Sequence, residues 1–216
     1  MQPIISIVGK SESGKTTLLE GLINGLKERG YRVAVIKHAS EDFELDTPNK
    51  DSWRFAQAGS EVSAVSSSSR LAVIRKLEQN LSPQELSQFL GPDCDLILTE
   101  GFKQSAHPKI EVHRKEQGPE LLSPPEQLIA VVTDEPLEVE VPQFSRDEVA
   151  KIVDLIEEMI KAQRQAYDLD LFVDNAHVPL SSSSQNLLYR TIVAMVSGIK
   201  GIGQMKSLRI FLRRQD

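Results

Sequence analysis

The chain has 216 residues, 40% of them hydrophobic and 26% charged, with 25 Lys and Arg against 31 Asp and Glu and a formal charge of −6. Such a length suits one domain with a small appendage, and the composition is that of a globular protein; three or more domains, a disordered chain and a collagen-like chain are excluded. The acidic balance also excludes a global attraction for nucleic acid or anionic membrane, so neither is expected as a partner.

In chain order, Ile4-Ile5-Ser6-Ile7-Val8 reads as a short buried strand. It leads directly into Gly9-Lys10-Ser11-Glu12-Ser13-Gly14-Lys15-Thr16, a complete match to the phosphate-loop pattern G-x-x-x-x-G-K-[ST]. Leu18, Leu22 and Leu26 then recur beside Leu19 and Ile23 on one helical face, and Gly30 stands where that helix should end. Strands are expected over Tyr31–Lys37, Glu61–Val65, Leu71–Arg75, Cys94–Glu100, Lys109–His113 and Leu128–Thr133, all as members of a parallel sheet with antiparallel edges allowed. Helices are expected after Ser52, Ser82 and Ser145, the last running to about Gln163. Ser82-Pro83-Gln84-Glu85 and Ser145-Arg146-Asp147-Glu148 have the form of capping boxes. Ser66–Ser69 and Ser181–Ser184 are serine runs best read as flexible loops.

The fold class is therefore a three-layer α/β P-loop NTPase with a mainly parallel sheet, plus a small C-terminal βαβ-like extension. Residues 1–164 form the nucleotide domain. Residues 168–216 supply Leu169–Val173, a helix from about Gln185 to Ile199 and Ser207–Leu212 as strand, helix and strand. At 49 residues this unit cannot easily stand alone, so docking on the main domain or dimerisation is expected. Cys94, the single cysteine, excludes an internal disulfide, fits a buried edge position and points to a reducing compartment. Met1-Gln2-Pro3 carries no basic leader, and no apolar run approaches the roughly 18 residues of a membrane span; an unexported, cytoplasmic protein is expected.

The loop defines the chemistry. Gly9 and Gly14 let the backbone curl so that the N–H groups of Lys10, Ser11, Glu12, Ser13 and their neighbours face phosphate oxygens, with the helix N-terminus adding partial positive charge. Lys15 reaches the β- and γ-phosphates, the Thr16 hydroxyl has the chemistry to ligate Mg²⁺, and Thr17 follows as a helix residue. Glu100 ends an apolar strand and falls beside the loop as the metal-side carboxylate, whereas Asp95 lies at the far end of that strand. Asp134, after a buried strand, is a candidate acceptor for guanine N1 and N2, with a turn or cap role as the alternative. Lys10 lies five residues before Lys15, where ATPases of the MinD and nitrogenase-iron-protein type carry a lysine that enters the partner's site. Ser11 and Glu12 replace the glycine those proteins have next, so a solvated loop lysine is the plainer reading. His107 and His113 lack a partnering cysteine for a metal site.

Two further segments complete a set. Ile36-Lys37-His38-Ala39-Ser40-Glu41-Asp42 follows the second strand, and Asp46-Thr47-Pro48-Asn49-Lys50-Asp51-Ser52 precedes a helix. With the phosphate loop and Leu98-Thr99-Glu100-Gly101-Phe102-Lys103, residues 1–162 resemble the MobB family of GTP-binding adapters in molybdopterin-guanine dinucleotide biosynthesis. The resemblance implies a homodimer that binds GTP and Mg²⁺, hydrolyses GTP weakly, and assists a MobA-type nucleotidyltransferase in joining GMP to molybdopterin, itself a candidate ligand. By the same resemblance Lys37, His38 and Asp42 border the nucleotide, Asp42 as a further metal-side candidate, with Asp51 and Ser52 nearby and Glu100 as the Walker-B-like acid. The chain departs from the family at Glu41, where a second histidine is common, and at Asn49, where glycine is common.

From the residues alone, a structural role for His38 and helix capping for Asp51 and Ser52 stay open. Three other functions use such a loop. A small-molecule kinase would need lid arginines, for which Arg70 and Arg75 are thin support; a nickel-insertion GTPase would need a Cys/His cluster; a nucleotide-gated binding protein would lack turnover.

Overall fold

The computed structural model describes residues 2–39, 47–90, 94–163, 169–174, 176–199, 208 and 210. It divides into two compact units, residues 1–37 with 83–216, and residues 38–82.

In the first unit, β1 (Ile4–Gly9), β2 (Val33–Lys37), and three further strands at Leu96–Glu100, Lys109–Val112 and Leu128–Val132 form a sheet with a short edge strand, Gln143–Phe144. Counting the hairpin of the second unit as β3 (Val62–Ser66) and β4 (Leu71–Arg75), those four are β5, β6, β7 and β8, and the sheet order is β2-β5-β1-β6-β7-β8. Every pairing in it is parallel. The strand β1 lies inside the sheet with all six residues buried, the pattern of a strand covered on both faces. Two-residue β8 is too short to leave a periodic trace in sequence.

The helices α1 (Lys15–Glu28) and α4 (Val149–Gln163) pack on one face of this sheet. Leu18, Leu19, Leu22 and Leu26 of α1 and Ile152, Val153, Ile156 and Ile160 of α4 meet Ile5, Ile7, Leu98, Ile110 and Val132 in one core. The α1 spacing is the three-to-four-residue apolar stripe read from the sequence, and α4 shows the same period. At the end of α1, the Gly30 N–H bonds to the Lys27 carbonyl at 2.9 Å and the Tyr31 N–H to Leu26 at 3.0 Å. With Gly30 at φ +85°, this is the left-handed C-terminal stop expected there. Before α4, the Glu148 carboxylate accepts from the Ser145 N–H at 2.9 Å, one half of the expected capping box.

The opposite sheet face is more polar. There Thr99 donates to Ser6 at 2.9 Å, and Lys109 and Glu111 are buried. Lys109 donates to the Ser105 carbonyl and Gln127, and Glu111 accepts from the N–H groups of Leu122 and Ser123 at 2.7 and 2.9 Å. These charges tie down the loops on either side of β6, satisfying themselves as burial demands.

In the second unit, α2 (Asp51–Gln57) packs on β3, and β3 pairs with β4 antiparallel. This corrects the expectation that both strands join the parallel sheet: the connection between Ser66 and Leu71 is four residues, and a parallel crossover needs a dozen or more. The serine run there is a tight turn, with the Ser67 hydroxyl accepting from the N–H groups of Ser69 and Arg70. The α2 N-cap is Lys50, with no side-chain cap, so Asp51 occupies the first helical turn and faces Arg54 at 3.9 Å. Asn49 adopts φ +71°, a left-handed conformation that asparagine tolerates.

The C-terminal residues depart from a strand–helix–strand order. Between Pro83 and Leu90 lies α3, and against it rests a strand absent from the sequence reading: β10 (Ala176–Val178), which pairs antiparallel with β9 (Leu171–Val173). Asp174 at φ +50° turns the hairpin. The helix α5 (Ser182–Ser197) starts three residues earlier than expected, because Ser181 caps it by accepting from the Ser184 N–H at 3.2 Å. The second serine run is thus a helix start and not a flexible loop. The expected strand Ser207–Leu212 lies largely outside the described residues. Cys94 is half-buried, less enclosed than expected.

Candidate functional site

The phosphate loop occupies the carboxyl edge of the sheet, between the end of β1 and the start of α1. Gly9 is required by a close approach: a Cβ there would lie 2.5 Å from the Val112 carbonyl oxygen and 2.7 Å from Ser13 Oγ. Gly14, at φ +99°, is the N-cap of α1, so the helix N-terminus opens directly onto the loop. Ser11 and Glu12 are exposed, Ser13 is buried, and Thr16 and Thr17 are exposed on the first helical turn. Lys15 Nζ donates to the Lys10 carbonyl at 2.6 Å, folding the ammonium back over the loop. Burial lowers its pKa; Glu100 opposes that, and the charges of Lys103 and Lys37 reinforce it.

Glu100 stands one strand away at the end of β5. Its Oε2 lies 3.4 Å from Thr16 Oγ1, at the long limit of a hydrogen bond, and its Oε1 is 3.7 Å from Lys37 Nζ. The hydroxyl, the carboxylate and the lysines thus meet at one spot, where the strand end places Glu100 and where the resemblance implies Lys37. Directly after it, Gly101 and Phe102 adopt φ +98° and +54°. A bulky residue in the left-handed region is a strained position of the kind that accompanies functional turns. Asp95, at the opposite end of β5, accepts from the Arg32 N–H at 2.9 Å and is a structural residue.

Hard oxygen donors at Thr16 and Glu100 fit Mg²⁺, which takes few protein ligands and keeps water and phosphate oxygens. Among the described residues no three His, Cys, Asp or Glu side chains gather as a metal cluster, and the two histidines His107 and His113 belong to none. Asp42 lies outside the described residues. His38 is exposed and begins the second compact unit, within which Asp51 and Ser52 also lie.

On the other side of β1 the loop is tied to the segment after β6. Lys10 Nζ donates to the Gln117 carbonyl, and Gln117 Nε2 donates to the Ser11 carbonyl at 2.6 Å. Lys10 is therefore half-buried and bonded, in place of the solvated lysine expected; the structural reason is the turn at Lys115–Gln117, which a spacing argument does not see. Asp134 follows β7, and its Oδ1 is 3.4 Å from the Lys115 N–H. Desolvation works against its charge, but hydrogen bonds from its own backbone and from Lys115, with Arg114 and Arg146 nearby, outweigh it and lower the pKa.

Three basic residues near the loop carried no role in the sequence reading. Lys103 belongs to the Glu-Gly-Phe-Lys segment, Arg114 follows directly on β6 and His113, and Arg146 sits inside a capping box that explained it too readily. For Lys103 and Arg114 the position just past the carboxyl end of a strand was the available signal, whereas the two-residue β8 before Arg146 leaves none.

The chain matches the family model described as "Molybdopterin guanine dinucleotide synthesis protein B" over residues 4–134. The molybdopterin-guanine dinucleotide biosynthesis adapter protein of Haemophilus influenzae is 40% identical over 156 residues, spanning 72% of this chain and 88% of the relative. The protein of the same description from Escherichia coli is 36% identical over 168 residues, or 76% and 96% of the two chains. The crystal structure of Bacillus subtilis MobB superposes with a TM-score of 0.60 at 31% identity, over 72% of this chain and 96% of that one.

Proposed function

The chain belongs to the MobB family of molybdopterin-guanine dinucleotide biosynthesis adapter proteins, and from that premise we propose that it binds GTP with Mg²⁺ and hydrolyses it slowly while assisting the attachment of GMP to molybdopterin. The observation that carries the nucleotide reading is the meeting of Thr16, Glu100 and Lys37 beside the phosphate loop.

The loop amides and the α1 N-terminus hold the phosphate chain, and Lys15 exchanges its bond to the Lys10 carbonyl for phosphate oxygens. Thr16 and Glu100 would hold Mg²⁺, which would supply charge neutralisation at the phosphates. In the hydrolysis we propose, a water oxygen bonds to the γ-phosphorus and the bond to the β–γ bridging oxygen breaks. GDP leaves with the electron pair, and the water proton passes to phosphate or solvent. Glu100 is already engaged by Thr16 and Lys37, which suits it to balancing charge more than to accepting that proton, so turnover is slow. Asp134 offers carboxylate oxygens for guanine N1 and N2 on the β7 side.

The partners in this reading are a MobA-type nucleotidyltransferase and a second copy of the chain, with molybdopterin a candidate direct ligand. In this reading the region 168–216 extends the nucleotide domain: if it is a separate unit, removing it leaves nucleotide binding in place, and a collapsed protein would mean that it completes the core.

Titration with GTP, ATP and their diphosphates, with and without Mg²⁺, tests the proposal, followed by phosphate release with and without a MobA-type partner. Mg²⁺-dependent preference for GTP with slow release is the expected result. Preference for ATP, or transfer only to an added small acceptor, would overturn it in favour of a kinase.

A further inference from the structure

Two guanidinium groups converge on the phosphate loop from the side away from Glu100. A Cβ built on Gly14 would lie 3.0 Å from Arg114 Nη2 and 4.0 Å from Arg146 Cζ, so both cations border the residue that caps α1. Arg114 is only 5% exposed. Its Nη1 donates to its neighbour's carbonyl, that of His113, at 3.2 Å, and its Nε has no acceptor among the described residues. Burial lowers the Arg114 pKa first, and the charge of Arg146 adds to that, with Asp134 and Glu116 opposing. Two like charges brought together beside a helix N-terminus, one of them buried with an unmet donor, form an arrangement that an anion would relieve.

The sheet order says which anion. Glu100 and Lys37 end β5 and β2, on one side of β1, while Arg114 follows β6 and Arg146 follows β8, on the other. A nucleotide laid along this edge with its γ-phosphate at Glu100 carries its α-phosphate and ribose toward β6 and β8. We propose that Arg114 and Arg146 form a second recognition point at the α-phosphate and ribose end of the bound nucleotide. This rests on the nucleotide reading above and deepens it: the two arginines serve GTP and GDP alike, and they are binding residues with no part in γ-phosphoryl transfer.

The test is titration of the wild-type chain, Arg146→Gln and Arg114→Lys with GTP·Mg²⁺ and with GDP, with circular dichroism to check folding. Because Arg146 is exposed, its substitution leaves the core intact and carries the test should Arg114→Lys fail to fold. The expected result is a loss of about tenfold or more in affinity per arginine, the scale of a charge-assisted hydrogen bond, and by the same factor for both nucleotides. Unchanged affinity of Arg146→Gln for both nucleotides, in a wild-type chain that binds them, would overturn the inference alone. So would a loss confined to GTP, which would place the arginines at the γ-phosphate. A wild-type chain that binds neither nucleotide would overturn the nucleotide reading, and this inference with it.

Discussion

Thr16 and Glu100, 84 residues apart in sequence, bring Oγ1 and Oε2 within 3.4 Å of each other. The parallel pairing of β1 with β5 sets this up, aligning Glu100, the last residue of β5, with Ile7, two residues before β1 ends at Gly9. Glu100→Gln keeps the shape but removes the negative charge and one of the two oxygens that could face a cation. Phosphate release should fall about tenfold or more and lose its response to Mg²⁺, while GDP affinity changes little. A release assay over a range of Mg²⁺ concentrations checks this, and an unchanged Mg²⁺ response would remove Glu100 from the metal side.

In the proposed site, Lys15 is the side chain on which triphosphate binding should depend most. Two charge-assisted hydrogen bonds to phosphate are worth about 3 to 6 kcal/mol together, so Lys15→Ala should weaken GTP binding by roughly 100- to 10,000-fold. The substitution also removes the bond to the Lys10 carbonyl, which is why the folded state needs a parallel check by thermal melting. Calorimetric titration showing wild-type affinity would defeat the assignment of the loop.

What was legible in the sequence was what is written in adjacent residues. The loop and its helix need only contiguous spacing, and Gly30 announces its stop because a left-handed residue at a helix end is chemically distinctive. Lys109 and Glu111 interrupt β6 with charges whose partners, Ser105, Gln127, Leu122 and Ser123, sit in loops that no periodicity predicts. Arg114 and Arg146 meet at Gly14 only once β6 and β8 have taken their places, and β8 has only two residues. The hairpin β3–β4 was legible as two strands, but its separateness depended on counting the four residues between them. Local chemistry is readable, and so is a strand end such as Glu100 once its strand is recognised; convergence that depends on the two-residue β8 is not.

Gly25 on α1 faces Val153 on α4 so closely that a Cβ would come to 2.9 Å from Val153 Cγ2. In an exposed helix interior, Gly→Ala gains about 1 kcal/mol of propensity. Here the added methyl overpacks a seam between two helices, at a cost of about 1–3 kcal/mol. The net effect of Gly25→Ala should be destabilising by about 1 kcal/mol, lowering Tm by about 2–4 °C. Adding Val153→Ala should recover part of the clash, and a double-mutant cycle reads that coupling. A rise in Tm on Gly25→Ala alone would mean that α1 and α4 pack less tightly than described.

The α1–α4 seam also carries a pH response. Glu157 on α4 is held at a pKa of about 2, down from an ordinary 4.5, by Lys161 first, then by the Tyr31 hydroxyl and Arg29. The contacts measure 3.0 Å to Lys161, 3.0 Å to Tyr31 and 2.8 Å to Arg29. Because the folded value lies below the unfolded one, the unfolded chain binds the proton more readily. The contribution is therefore fully present above about pH 4.5 and is lost as the pH falls toward 2. Melting temperatures measured across that window should decline more steeply for the wild-type chain than for Glu157→Gln, which has no proton to take up there. The two curves should run parallel above pH 5. Equal slopes below pH 4.5 would mean that the contacts of Glu157 do not survive in solution, and that the seam is held by Val153, Ile156 and their apolar neighbours alone.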